Sequence, residues 1–242
     1  MKKYTFVELL VCCALLLMLG TVGVSTLRAN GAAKAEEVAC ASQQKNIYAA
    51  LIKYANDNAG FFPYFDDEVG IRGCKTRVTW GYRIHKYLPE ESGNKNFFCP
   101  SQQSLYPEPR NRSRMTSPES CAATPETNLE RYRAINYGIN FEGVAGNIGF
   151  WDRTHKTNDY ITMNVAKMVN PDQKVLAADA WNGENQGRYV ISSYNTGSNK
   201  MNPCHENASN VLWCDGHVSR VDNPHATLQN GKNYHKHFRV DK

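Results

Sequence analysis

The chain has 242 residues, a formal net charge of +5, 41% hydrophobic residues and a mean hydropathy of −0.56. That length suits one domain, of one or two lobes, with enough material to bury a core. The basic residues are scattered apart from Arg110, Arg112 and Arg114 and a short run from His235 to Arg239, a solvated-surface pattern that argues against a nucleic-acid partner.

Residues 1–3 form a short basic leader, and residues 4–27 (YTFVELLVCCALLLMLGTVGVSTL) form an apolar run whose only charge is Glu8. A helix of that length spans about 36 Å, enough for a hydrocarbon core of about 30 Å, and is expected to be a transmembrane half-helix. Lys2 and Lys3 ahead of it would keep the N-terminus cytoplasmic and send the rest of the chain across. Glu8 would cost about 3 kcal/mol inside lipid, so it needs a role. A secretory signal peptide fits less well, because no small-x-small cleavage site precedes Arg28.

Residues 28–60 are rich in Ala, Lys, Glu and Gln, which favour helix. Ile47, Leu51 and Tyr54, and beside them Tyr48, Ile52 and Ala55, recur at helical spacing and predict an amphipathic half that lies on a sheet. Gly60 followed by Phe61-Phe62-Pro63 ends it. With no proline or Gly-Ser linker between Leu27 and Lys45, one helix is expected from about Thr5 to about Asn58, roughly 80 Å long.

Residues 61–242 make the head. Residues 78–84 (VTWGYRI) read as a short strand or turn of helix, and residues 113–128 as a long exposed loop. Strands are expected at residues 133–141, 174–181 and 190–194, the second as a continuous apolar run carrying Asp179. Residues 210–214 and 217–221 flank Asp215-Gly216 and predict a hairpin with a type I′ turn.

Cys12 and Cys13 fall in the apolar run as small hydrophobes. Cys40, Cys74, Cys99, Cys121, Cys204 and Cys214 are an even set, expected to form disulfides in an exported head, with fifteen possible pairings. No C-x2-C pair exists, which weakens the rival zinc reading.

Tyr4-Thr5-Phe6-Val7-Glu8-Leu9-Leu10 resembles, position by position, the segment of type IV prepilins and type II secretion pseudopilins that follows their leader-peptide cleavage site. Lys3 stands where that family's peptidase cuts after glycine, so both a cleaved subunit and an uncut anchor remain open. The order of Cys40 on the helix, Cys99-Pro100-Ser101, Tyr137-Gly138-x-Asn140, Lys174-Val175-Leu176-x-x-Asp179 and His205-x9-Asp215-Gly216 is similar to the H-x9-D-G prepilin-associated group and spans nearly the whole chain. The resemblance implies an α+β, pilin-like fold: a long N-terminal helix packed on a small antiparallel sheet of four to six strands, with irregular disulfide-tied loops. It implies a single-pass protein of the bacterial inner membrane with its head outside, processed by prepilin peptidase between Lys3 and Tyr4. Its partners would be the membrane and other pilin-like subunits, met through the helix that carries Glu8.

Three roles are open for His205, Asp215 and Gly216. Asp215-Gly216 can be a turn with His205 as a hydrogen-bonded loop anchor. Oxygens of Asp179 and Asp215 can hold Ca²⁺. A catalytic His-Asp pair is the third, although no nucleophile is spaced to join it. Phosphate-loop, dinucleotide, serine-hydrolase and zinc-protease motifs are absent. The expectation is a non-catalytic filament or secretion-pseudopilus subunit without a cofactor. The alternative is an anchored envelope module that binds a glycan or peptide through aromatics such as Trp80, Tyr82, Trp151, Tyr160 and Trp181, residues that can equally form a core.

Overall fold

The computed structural model describes residues 6–71, 74–89, 93–105, 135–146, 162–182, 187–194, 197 and 199–239. Lys3, Tyr4, Cys121, Trp151 and Tyr160, and the predicted loop at residues 113–128, lie outside them.

Helix α1, Phe6–Asp57, is continuous for 52 residues, about 78 Å. It stops where Gly60 turns to φ +84° and donates its N–H to the Ala55 carbonyl at 2.7 Å, a left-handed cap that a side chain would strain. A Cβ on Gly60 would also crowd the Asn164 amide, 2.9 Å away. Along the C-terminal half, Glu37, Cys40, Gln44, Ile47, Leu51 and Ala55 are buried, at steps of three and four residues. Ile47 and Leu51 sit in that stripe as their spacing predicts, with Tyr48, Ile52 and Tyr54 half-buried at its margins.

The expected transmembrane half, and with it the single-pass inner-membrane placement, is overturned. Among the described residues no helix is long and apolar enough to cross a membrane. From Gly31 onward α1 carries Lys34, Glu36, Glu37, Lys45, Lys53 and Asp57, charges whose insertion costs about 2.5 to 3.5 kcal/mol each, and its apolar stripe is spent on the head.

The main sheet contains β3 (Tyr137–Asn140), β4 (Val175–Trp181), β5 (Val190–Ile191), β6 (Lys200–Met201), β7 (Ala208–Trp213) and β8 (Val218–Asp222). Its order is β5-β3-β4-β7-β8, with β6 pairing the end of β4. The expected antiparallel sheet is instead mixed, since β3 and β5 run parallel; residues 141–189 between them supply the long crossover that parallel pairing requires. A separate two-stranded ribbon, β1 (Asp66–Ile71) with β2 (Cys74–Thr79), leads into helix α2, Trp80–Ile84.

Central strand β4 is buried on both faces, which is why it reads as an unbroken apolar run. Leu176 and Ala177 join Ile47 and Leu51 beneath α1, while Val175, Ala178 and Ala180 join Val211, Leu228 and Phe238 on the other face. The two adjacent residues facing α1 coincide with a register shift between Val175 and Ala177, a bulge that re-aims the strand. Trp80 is fully buried, its indole N–H donating to the Tyr189 carbonyl at 2.6 Å, so it belongs to the core and lines no groove.

Strands β7 and β8 form the predicted hairpin, but with a different turn. The Gly216 N–H donates to the Trp213 carbonyl at 3.0 Å, the His217 carbonyl accepts from Trp213 at 2.9 Å, and Gly216 alone takes a positive φ, +93°. This is a three-residue connection closed by a left-handed glycine, because Cys214 adds a residue to the pair that a type I′ turn would use. A Cβ at Gly216 would collide with the Tyr48 ring on α1, so the glycine serves both the turn and the seat of the hairpin against the helix.

Leu51→Ala is expected to lower unfolding free energy by about 2 to 5 kcal/mol in chemical denaturation, since it empties a fully buried site. Exposed Lys53→Ala on the same helix should change it by no more than about 0.5 kcal/mol. Gly216→Ala should cost about 1 to 3 kcal/mol in the same assay.

Candidate metal centre

The stripe on α1 changes chemistry at its upstream end. After Ile47 and Leu51 the buried positions become Gln44, Cys40 and Glu37, polar groups that need partners across the interface. Cys40 meets Cys99, Asp179 and His205, and one ligand atom from each of the four lies within 4.8 Å of every other. All four residues are buried, His205 being the most accessible at 3%.

Each arrives by a local device. Cys99 precedes Pro100, the first residue of helix α3, Pro100–Leu105, where proline is favoured because that N–H has no helical partner. Asp179 lies on β4 between Ala178 and Ala180, which face the opposite side. His205 is set by a tight turn in which it exchanges two 3.0 Å backbone hydrogen bonds with Ala208 across Glu206 (φ 51°) and Asn207 (φ 65°). Positive φ at both central residues is the type I′ requirement, met here rather than at Asp215-Gly216.

The Cys40 Sγ lies 3.1 Å from the Cys99 Sγ, 3.1 Å from the Asp179 Oδ1 and 3.0 Å from the Tyr137 hydroxyl. The His205 Nε2 is 3.6 Å from the Cys99 Sγ and 3.2 Å from the Asp179 Oδ2. Around these, the Ser101 Oγ lies 3.2 Å from the His205 Nδ1, and the Asn210 N–H donates to the Asp179 Oδ2 at 2.7 Å. Tyr137 donates to the Gln43 Oε1 at 2.6 Å, and the Asn210 amide donates to the Glu37 carbonyl at 3.0 Å. The Cys204 Sγ stands 3.8 Å behind Cys99.

Burial raises the Asp179 carboxyl to about 6, with the neighbouring Cys99 thiolate adding to the rise and the His205 hydrogen bond opposing it. Burial by itself would lower His205, but hydrogen bonds to Asp179 and Cys99 outweigh it and lift the imidazole to about 10. Burial would also raise Cys99, yet hydrogen bonds from Cys204, Cys40 and His205 hold its thiol well below the ordinary range. Cys40 is pushed well up, first by burial and then by Cys99 and Asp179. The centre therefore gathers two thiol groups, a carboxyl and an imidazole, a donor set of sulfur, nitrogen and oxygen. All four side chains are closed off from solvent.

The sequence motif His205-x9-Asp215-Gly216 is split by the fold. His205 joins the centre, whereas Asp215 sits at the far end of β7, its Oδ1 2.7 Å from the Nδ1 of half-exposed His217. The Cys214 N–H donates to the Lys174 carbonyl, so Asp215 lies near the start of β4 and Asp179 five residues along it, about 16 Å away. A calcium site shared by Asp179 and Asp215 and a His205-Asp215 pair are both excluded by that separation. The disulfide expectation is corrected for four of the six: Cys40, Cys99, Cys204 and Cys214 are free, buried thiols, and Cys121 lies outside the described residues.

Sequence reasoning missed the meeting of Cys40 and Cys99 with Asp179 and His205, and the supporting Ser101, Tyr137 and Asn210. One signal was present: Glu37, Cys40 and Gln44 continue the apolar stripe of α1 with polar residues at core positions.

Fold and centre together define a helix-on-sheet α+β domain with a buried cluster of thiols, carboxylate and imidazole at the helix–sheet seam. Comparison with protein-family models, with curated proteins and with solved structures finds no match to the chain.

Asp179→Ala is expected to destabilise the domain by about 3 to 5 kcal/mol, because it leaves the buried His205 charge without its carboxylate. Asp215→Ala, which removes a half-exposed pair, should stay within about 1 kcal/mol. Parallel urea titrations of the two variants make the comparison.

Proposed function

We propose that this chain is a non-catalytic, pilin-like structural subunit that assembles with other pilin-like subunits through the upstream part of α1. The observation that carries the proposal is the single helix itself. Its buried stripe against the head begins at Glu37, residues 31–35 are exposed, and residues 6–30 continue the same helix upstream. A helix that outruns its own domain by about 37 Å is suited to packing against copies of itself.

Two further features support it. The segments that carry the prepilin resemblance converge in space: Cys40, Cys99 of C-P-S, Tyr137 of Y-G-x-N, Asp179 and His205 all meet at one seam. That seam is sealed, which suits cohesion between helix and head and not turnover. The function asked of α1 is helix-to-helix contact, with no membrane crossing. Glu8, in the first turn of α1, would pair with the α-amino group that cleavage by prepilin peptidase exposes at Tyr4 of a neighbouring subunit, neutralising two charges in an apolar bundle.

Two measurements test this. Mass spectrometry of the chain recovered from its native host is expected to show a mature N-terminus at Tyr4. Glu8→Ala should abolish filaments in electron micrographs while leaving the head's thermal unfolding unchanged; intact filaments in that variant, or a chain still beginning at Met1, would sink the proposal.

A further inference from the structure

We propose that Cys40, Cys99, Asp179 and His205 bind one zinc ion, which fastens α1 to the sheet of the head. This stands on the geometry of the centre alone and holds or fails independently of filament assembly.

A tetrahedral zinc ion, with bonds of about 2.3 Å to sulfur and about 2.0 to 2.2 Å to nitrogen or oxygen, sets its ligand atoms roughly 3.3 to 3.8 Å apart. The 3.6 Å from Cys99 to His205 matches such an edge, the 3.1 Å from Cys40 to Asp179 is a few tenths short of one, and the 3.1 Å between Cys40 and Cys99 is about 0.7 Å short of the roughly 3.8 Å sulfur–sulfur edge. Binding would move the Cys40 and Cys99 sulfurs apart to make room for the ion. Two thiolates and an imidazole select a borderline-soft metal over Ca²⁺ or Mg²⁺, and four protein ligands with no open position mark a structural site.

The outer partners are oriented for the same purpose. Ser101, 3.2 Å from the Nδ1 of His205, can accept that nitrogen's N–H and so leave Nε2 for the metal. The Asn210 N–H on the Asp179 Oδ2 leaves Oδ1, the oxygen nearer Cys40, as the ligand. Two thiolates and a carboxylate around Zn²⁺ leave one net negative charge in a buried place. The Asn210 N–H, the Cys204 thiol behind Cys99 and the Tyr137 hydroxyl beside Cys40 are positioned to stabilise it. On binding, the ion displaces the proton of the Cys40 thiol and the Nε2 proton of His205.

The rival use of the same atoms is a Cys40–Cys99 disulfide, formed with loss of two hydrogens to an oxidant. The full chain, purified without metal-affinity resin, is expected to carry one zinc per molecule by elemental analysis and native mass spectrometry. Replacement by Co²⁺ should give the intense visible bands of tetrahedral cobalt with thiolate ligands. Cys99→Ser and His205→Ala should lose the ion, whereas Cys214→Ser and Asp215→Ala, both away from the cluster, should retain it. Should the first two variants fail to fold, the wild-type chain still decides: chelation should lower its thermal midpoint and added Zn²⁺ restore it. A metal-free native mass, with or without the two-hydrogen loss of a disulfide, overturns the proposal, as does zinc retained in Cys99→Ser or lost from Cys214→Ser but not from Asp179→Asn.

Discussion

The contact on which the rest of the structure depends is that of the Cys40 thiol with the Asp179 carboxylate, at the seam between α1 and the central strand of the sheet. A carboxylate with no exposure is costly in a protein interior, and it persists only where hydrogen bonds and an opposite charge compensate it. Asp179 receives them from three elements at once: Cys40 of α1, His205 of the tight turn and the Asn210 backbone of β7. Satisfying one group thereby sets the register of the helix on the sheet, the inward aim of the turn and the close approach of β4 to β7.

The apolar stripe below that seam supplies the larger share of cohesion, and the polar centre supplies position. Ile47 and Leu51 gain about 1.5 to 3 kcal/mol each on burial, but hydrophobic contact is non-directional and would tolerate a slide of the helix along its axis. Directional contacts at Cys40, Gln44 and Glu37 remove that freedom: Gln44 donates to the Asn210 carbonyl, and Glu37 is bridged by Arg220 of β8 at 3.0 Å. At the other end of the same β7 strand, Gly216 lets the hairpin turn lie against Tyr48. The turn before β7 and the turn after it thus meet α1 at two points, one through chemistry and one through the absence of a side chain.

The two turns also explain why His205 and Asp215 do not form a single site. His205 and Asp215 bracket β7, and an extended strand keeps its ends apart. The nine residues between them span the strand and its approaches, between two turns that each rest on the helix. A catalytic or calcium-binding pair would need them together, and an extended strand forbids that.

Much of the framework was legible in the residues themselves. The helix stop at Gly60, the stripe through Ile47 and Leu51, the buried strand through Asp179 and the hairpin around Asp215-Gly216 all follow from local period and turn chemistry, which act over a few residues. The parallel pairing of β3 with β5, the type of each turn and the fate of the cysteines did not follow. Cys40 and Cys99 are 59 positions apart, and Cys40 and Asp179 are 139 apart, so no spacing rule links them. The sequence alone determined the apolar face of α1, the buried central strand and the turn at Asp215-Gly216, because those depend on side-chain polarity and backbone freedom. Only the tertiary structure decided that a helix, a proline-led loop, a strand and a left-handed turn bring two thiols, a carboxylate and an imidazole to one point, because that depends on how four distant segments pack.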